Sequence, residues 1–161
     1  MILWILLAAA VILVLWLIGT FNSLVSLKNE TLNGWKQIDV QLKRRHDLIP
    51  NLIETVKGVM NFEQKTLTAV IEARNKAISA QSVPEKAGAE NMLTGALHKL
   101  FDLVENYPTL SSNENASKLQ EELVSTENRI GFARQFYNDI ATKFNIAQEN
   151  PASTLISALL L

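Results

Sequence analysis

Residues 1–18 form an uninterrupted apolar run, Met-Ile-Leu-Trp-Ile-Leu-Leu-Ala-Ala-Ala-Val-Ile-Leu-Val-Leu-Trp-Leu-Ile, and Gly19, Thr20 and Phe21 extend it without a charge. As a helix rising about 1.5 Å per residue, the run covers roughly 30 Å, the hydrocarbon thickness of a bilayer. Trp4 and Trp16 lie towards its two ends, where indole rings favour the membrane interface. A secretory signal peptide would need a basic start, a shorter apolar stretch and a small-residue cleavage site. No Lys or Arg precedes Lys28, and Ala8-Ala9-Ala10 sits inside the run rather than after it. Residues 1–21 are therefore read as a transmembrane helix in contact with the lipid bilayer.

The flanking charge predicts an orientation. The N-terminal side carries no charged side chain, whereas Lys28, Lys36, Lys43, Arg44 and Arg45 follow the run. Basic residues beside a span stay in the cytoplasm. The expected arrangement is a single pass through the cytoplasmic membrane, N-terminus outside and the remainder inside. It divides into residues 1–21 (span), 22–150 (helical-bundle domain) and 151–161 (a short apolar tail).

Beyond the span, the periodicity is helical throughout. Leu24, Leu27, Thr31, Trp35, Ile38, Leu42 and Arg45 recur at steps of three or four, which makes one stripe down a helix. No Pro interrupts residues 1–49, so the membrane helix is expected to continue directly, with Gly34 its softest point. Pro50 suits the first position of a second helix carrying Leu52, Val56, Val59, Leu67, Val70 and Ala77. Because Pro disfavours helical geometry in Ile49 and lacks a backbone donor, residues 47–50 are expected to break or bend sharply.

Residues 79–84 read as a loop. A third helix is expected from about Pro84 to Asn106, with Ala89, Leu93, Ala96, Leu100 and Val104 on one face. Tyr107-Pro108 ends it, and Asn113 has the chemistry to cap a fourth helix. There Leu119, Leu123, Thr126, Ile130, Ala133, Tyr137, Ile140, Phe144 and Ala147 alternate steps of four and three, a heptad-like coiled-coil seam ending at Asn150-Pro151. No segment alternates with the period of a half-buried strand. The fold class is all-α: an N-terminal transmembrane helix followed by a long antiparallel helical bundle. The tail from Leu155 to Leu161 is too short to span; it docks on the bundle, touches the membrane surface or packs between subunits.

Searching for chemistry narrows the function classes. A formal net charge of -1 gives no concentrated positive field for nucleic acid. The absence of cysteine removes thiol catalysis, disulfides and thiolate metal sites. Di-iron bundles need Glu-x-x-His pairs, yet Lys43 stands three before His46 and Gly95 three before His98. No nucleophile elbow or Gly-rich phosphate loop occurs. No catalytic residue, cofactor, metal or small-molecule substrate is assigned.

Two polar clusters remain as candidate interaction residues. The first is Gln37, Asp39, Lys43, Arg44, Arg45, Asp47 and Asn51; the second is Glu122, Glu127, Asn128, Arg129, Arg134, Tyr137 and Asn138. Either they are solvated faces with weak exposed ion pairs, or they meet across the bundle or between subunits and set its register.

With these blocks in view, the chain resembles the LemA family. The residues that carry the likeness are Phe21-Asn22-Ser23-Leu24-Val25, Trp35-Lys36-Gln37-Ile38-Asp39-Val40-Gln41-Leu42-Lys43-Arg44-Arg45 and Asp47-Leu48-Ile49-Pro50-Asn51-Leu52. Further along come Ala73-Arg74, Asn106-Tyr107-Pro108, Thr126-Glu127-Asn128-Arg129-Ile130 and Ala133-Arg134-Gln135-Phe136-Tyr137-Asn138. The resemblance implies a membrane helix, a long antiparallel bundle and a bacterial or archaeal origin, and supplies no catalytic activity. Family members usually pass a Phe-Pro turn into a longer tail, where this chain has Asn150-Pro151-Ala152-Ser153.

Three functions compete. The first is a non-enzymatic scaffold that self-associates through its helices as a homo-oligomer. The alternative is an adaptor docking another envelope protein, such as a protease or stress-response component. An enzyme is the third, and it lacks the groups to work with.

Overall fold

The computed structural model describes residues 1–58 and 63–150. Among the described residues five helices follow in order: α1 (Ile2–Lys57), α2 (Gln64–Ser79), α3 (Val83–Val104), α4 (Pro108–Ser111) and α5 (Glu114–Glu149). No strand occurs among the described residues, so the chain is all-α, a long N-terminal apolar helix leading into a helical bundle. Val59 and the 151–161 tail lie outside the described residues.

The chain forms two compact units, Met1–Asp39 with the stretch from Gly131 onward, and Val40–Ile130. Both α1 and α5 contribute to each.

In the first unit, the most apolar stretch of α1 is long enough to cross a membrane and none of it is buried against protein. Further along, Leu24 and Ile38 of α1 and Ile140 of α5 are buried. Gly34 is a point of close approach. A methyl group built there would lie 3.5 Å from Tyr137 Cα and 3.6 Å from Phe136 Cδ1. Beside it, the Trp35 and Tyr137 rings meet edge to face with centroids 5.4 Å apart, a favoured aromatic geometry. A cleft of 390 Å³ lined by Trp16, Gly19, Thr20, Ser23, Leu24, Ala147 and Asn150 lies at the other end of this pair. The two helices are thus antiparallel, with Tyr137 beside Gly34 and Ala147 beside the Thr20 turn. Gly34 lies inside unbroken helix, against Tyr137 and Phe136 of α5.

In the second unit, α1, α2 and α3 share one core: Ile49, Leu52 and Val56 from α1, Val70 and Ala77 from α2, Leu93 and Leu100 from α3. Leu110 of α4 and Leu123 of α5 join it. The α2–α3 connection is only Ala80, Gln81 and Ser82, short enough to force antiparallel neighbours. Its end is a capping box. The Ser82 hydroxyl accepts from Glu85 N at 3.4 Å, and Glu85 Oε2 accepts from Ser82 N at 3.2 Å and Gln81 N at 3.4 Å. Asn113 caps α5 as its chemistry predicts, accepting from Asn115 N at 3.0 Å and Ala116 N at 3.2 Å. Every residue of the predicted α5 seam is buried or half-buried.

One expectation is corrected. No new helix starts at Pro50: residues 47–50 are helical and α1 carries Leu52 and Val56 before ending at Lys57, with α2 beginning at Gln64. The reason lies one turn upstream. Pro50 has no N–H for the carbonyl of His46, four residues earlier. Arg74 of α2 supplies the missing donor, its Nε lying 2.7 Å from His46 O. The expected loop at residues 79–84 also contracts, because the Ser82 cap lets α3 begin at Val83.

Candidate functional site

The most unusual chemistry in the second unit is a charged cluster inside it. The α1 stripe turns Arg45 inward, and its neighbour His46 is carried in beside it; both are buried. From α3, Glu90 and Thr94 stand four residues apart and so share a face. Glu90 Oε1 lies 2.7 Å from His46 Nε2. Arg45 Nη2 donates to Thr94 Oγ1 at 2.7 Å, and Arg45 Nη1 lies 3.7 Å from Glu90 Oε2. Which of the two atoms donates in this short contact depends on the imidazole tautomer.

The side chain of Glu90 is 1% exposed and that of Arg45 3%. Glu90 Oε2 has no hydrogen-bond partner among the described residues, so its approach to Arg45 is a charge contact rather than a bond. Such a carboxylate is out of reach of a dissolved substrate. What the cluster can do is fix α1 against α3. A buried pair is weak evidence of net stabilisation, but breaking one leaves an uncompensated charge. Arg74 completes the cluster through the His46 carbonyl. Among the described residues no three His, Cys, Asp or Glu side chains gather as metal ligands would.

The sequence-derived interaction residues scatter by comparison. Arg45 is buried in the cluster, whereas Gln37, Lys43, Asp47, Asn51, Asn128, Arg129 and Asn138 are exposed. Arg44 lies 3.8 Å from Glu122, which brings one residue of each polar set together. Both ends are well exposed, and pairs of that kind contribute about 0–1 kcal/mol. Glu127 faces His98 at 3.4 Å, Tyr137 packs on Trp35, and Asp39 and Arg134 are half-buried.

Glu90 and Thr94 are absent from the residues that sequence pattern singles out. The available signal is a lone acid inside α3's apolar pattern, one residue after Ala89 and three before Leu93. Its partner lies 44 positions away on another helix.

The LemA family model matches residues 34–160 of this chain. The chain belongs to the LemA family. Protein LemA of Metamycoplasma hominis is 29% identical over 132 residues, covering 80% of this chain and 59% of that protein. Magnetosome protein MamQ 2 of Paramagnetospirillum magneticum is 24% identical over 156 residues, covering 81% and 57%. Magnetosome protein MamQ of Magnetospirillum gryphiswaldense is 22% identical over 157 residues, covering 81% and 58%. This LemA-family chain therefore spans less than three fifths of the length of these curated relatives. None of their names carries an enzymatic activity.

Proposed function

We propose that this LemA-family chain is a single-pass membrane protein without enzymatic activity, and that it works as a self-associating scaffold. Residues 1–21 are its anchor and residues 22–150 its bundle. The basic residues from Lys28 to Arg45 favour a cytoplasmic bundle and an external N-terminus. A cysteine placed at Ser23 that reacted with an impermeant reagent in intact cells would reverse that orientation.

The observation that carries the scaffold reading is apolar surface left bare beyond the anchor. In the first unit Leu32 on α1 and Phe132, Phe136 and Ile146 on α5 are exposed. Bare apolar surface on a soluble segment marks a contact site when it forms a patch. Mass photometry or multi-angle light scattering of the intact protein in mild detergent tests the reading. A discrete oligomer supports it, and a strict monomer removes it.

A groove between α2 and α3 favours the adaptor as second reading. It encloses 610 Å³ over a floor including Ala69, Ala73, Gly95 and Ala96, and three lysines, Lys65, Lys76 and Lys99, outnumber the one acid, Glu72, around it. Small residues admit a close-lying chain, and the lysines suit an acidic client. Reversing Lys76 and Lys99 to Glu should then change which proteins co-purify; an unchanged set counts against it.

A further inference from the structure

With residues 1–21 as the anchor, the reading on which this contact rests, the bilayer's edge falls beside the last turns of α5. Trp16, Gly19 and Thr20 of the apolar run line one cleft with Ala147 of α5 and with Asn150 just after it. A Trp near the end of a span sits in the headgroup layer, so Ala147 and Asn150 stand at that height too. Ile146, next to Ala147, is 63% exposed. At headgroup height an apolar side chain that protein leaves bare borders lipid. Phe136 differs, because it lies against Gly34, about 20 Å beyond Phe21 by helix rise and clear of the bilayer.

The sequence after Asn150 suits the same surroundings. Residues 151–161 read Pro-Ala-Ser-Thr-Leu-Ile-Ser-Ala-Leu-Leu-Leu and carry no charged side chain. As a helix that stretch would reach about 16 Å, half the hydrocarbon thickness, so it starts at the interface and cannot cross. We propose that the end of α5 and residues 151–161 form a second membrane contact, set into the headgroup and upper acyl region beside the anchor. From residue 140 onward the sequence holds one base, Lys143, and one acid, Glu149. The contact is therefore apolar rather than electrostatic, and it needs no anionic lipid. Lys143, exposed one turn before Ala147, is placed to keep its ammonium among the headgroups. Held to the bilayer at two points, the α1–α5 pair cannot swivel about the anchor axis.

The absence of cysteine makes single-site labelling direct. Ile146→Cys and Ala158→Cys are each labelled with an environment-sensitive fluorophore on the full chain in phosphatidylcholine vesicles. Both probes should lose fluorescence to an acyl-chain spin label and resist iodide present on both sides of the membrane. Gln81→Cys, exposed in the α2–α3 connection, should respond to iodide alone. Leu155→Glu with Leu159→Glu should open the 158 probe to iodide while helicity stays at the wild-type level, because both lie beyond α5. A probe at 146 or 158 open to iodide in the otherwise unchanged chain overturns the second contact. So does one shielded from both quenchers, as packing on the bundle or between subunits would make it, or a 158 probe that stays in lipid in the double variant. Leu13→Cys separates this contact from the anchor. If lipid quenches position 13 but not 146 and 158, the anchor stands and the contact falls; if position 13 is unquenched, the anchor reading itself falls.

Discussion

Arg74 of α2 donates from Nε to the backbone carbonyl of His46 in α1 at 2.7 Å, where Pro50 withholds the helical donor. A side chain from a neighbouring helix thereby closes a gap in the main-chain ladder, and α1 runs on to Lys57. Removing the donor should orphan a carbonyl in a half-buried site, at about 1–3 kcal/mol. Arg74→Met is therefore expected to destabilise the protein by that amount, and by much less in a Pro50→Ala background, where residue 50 regains its N–H. Urea unfolding of the four-member double-mutant cycle measures the coupling. Equal costs in both backgrounds would refute the relationship.

Glu90 sits between Arg45 and His46. Glu90→Ala removes the carboxylate that faces both buried basic side chains and is expected to cost about 3–5 kcal/mol. Replacing the three together, as Arg45→Met, His46→Leu and Glu90→Leu, should recover most of that loss, because well-packed apolar residues often match a buried ion pair. Thermal and urea denaturation compare them. A triple variant no better than Glu90→Ala would mean that the cluster contributes more than mutual compensation.

These two sites also mark where the sequence stops being legible. The α5 seam and its Asn113 cap are local patterns, and local patterns can be read from spacing: Thr126 and Ile130 are buried where the heptad puts them. The intrinsic preference of Pro50 points to a break, and tertiary pairing with a residue 28 positions from His46 overrides it. Arg45 belongs to the inward stripe by its spacing, yet periodicity cannot find the acid that accepts it, because Glu90 looks like any polar residue of a helix. The apolar run of α1 is legible because length and composition alone set it apart. The role of Gly34 is not, since it depends on Tyr137, about a hundred residues on.

The capping box before α3 gives stability a pH dependence. Backbone hydrogen bonding from Ser82, then its hydroxyl and the Gln81 N–H, hold the Glu85 carboxyl below its ordinary value of 4.5. A folded-state pKa that is depressed contributes stability above the unfolded value, and the contribution is lost as pH falls through the folded one. Glu85→Gln should therefore lower the melting temperature at pH 7, and the gap from wild type should close as pH falls below about 4.5. Ser82→Ala, which removes the cap itself, should cost about 1 kcal/mol. Melts followed by far-UV circular dichroism between pH 3 and 7, as rough limits around the Glu range, check both. A pH-independent gap for Glu85→Gln would contradict the assignment.

Gly34 offers a prediction in which side-chain size decides the sign. A methyl group there would meet Tyr137 Cα at 3.5 Å and Phe136 Cδ1 at 3.6 Å, ordinary contact distances. Nothing needs to move to admit it, and Ala is favoured over Gly within a helix by about 0.5–1 kcal/mol. Gly34→Ala should accordingly raise the melting temperature. Leu at the same place projects past that contact into the Tyr137 main chain. It must force α1 from α5 or turn the Tyr137 ring off Trp35, and overpacking of this kind costs about 1–3 kcal/mol. Melting temperatures of Gly34→Ala and Gly34→Leu should therefore move in opposite directions. If Ala destabilises as much as Leu, the glycine is needed for backbone freedom, and the close approach of Tyr137 is not what selects it.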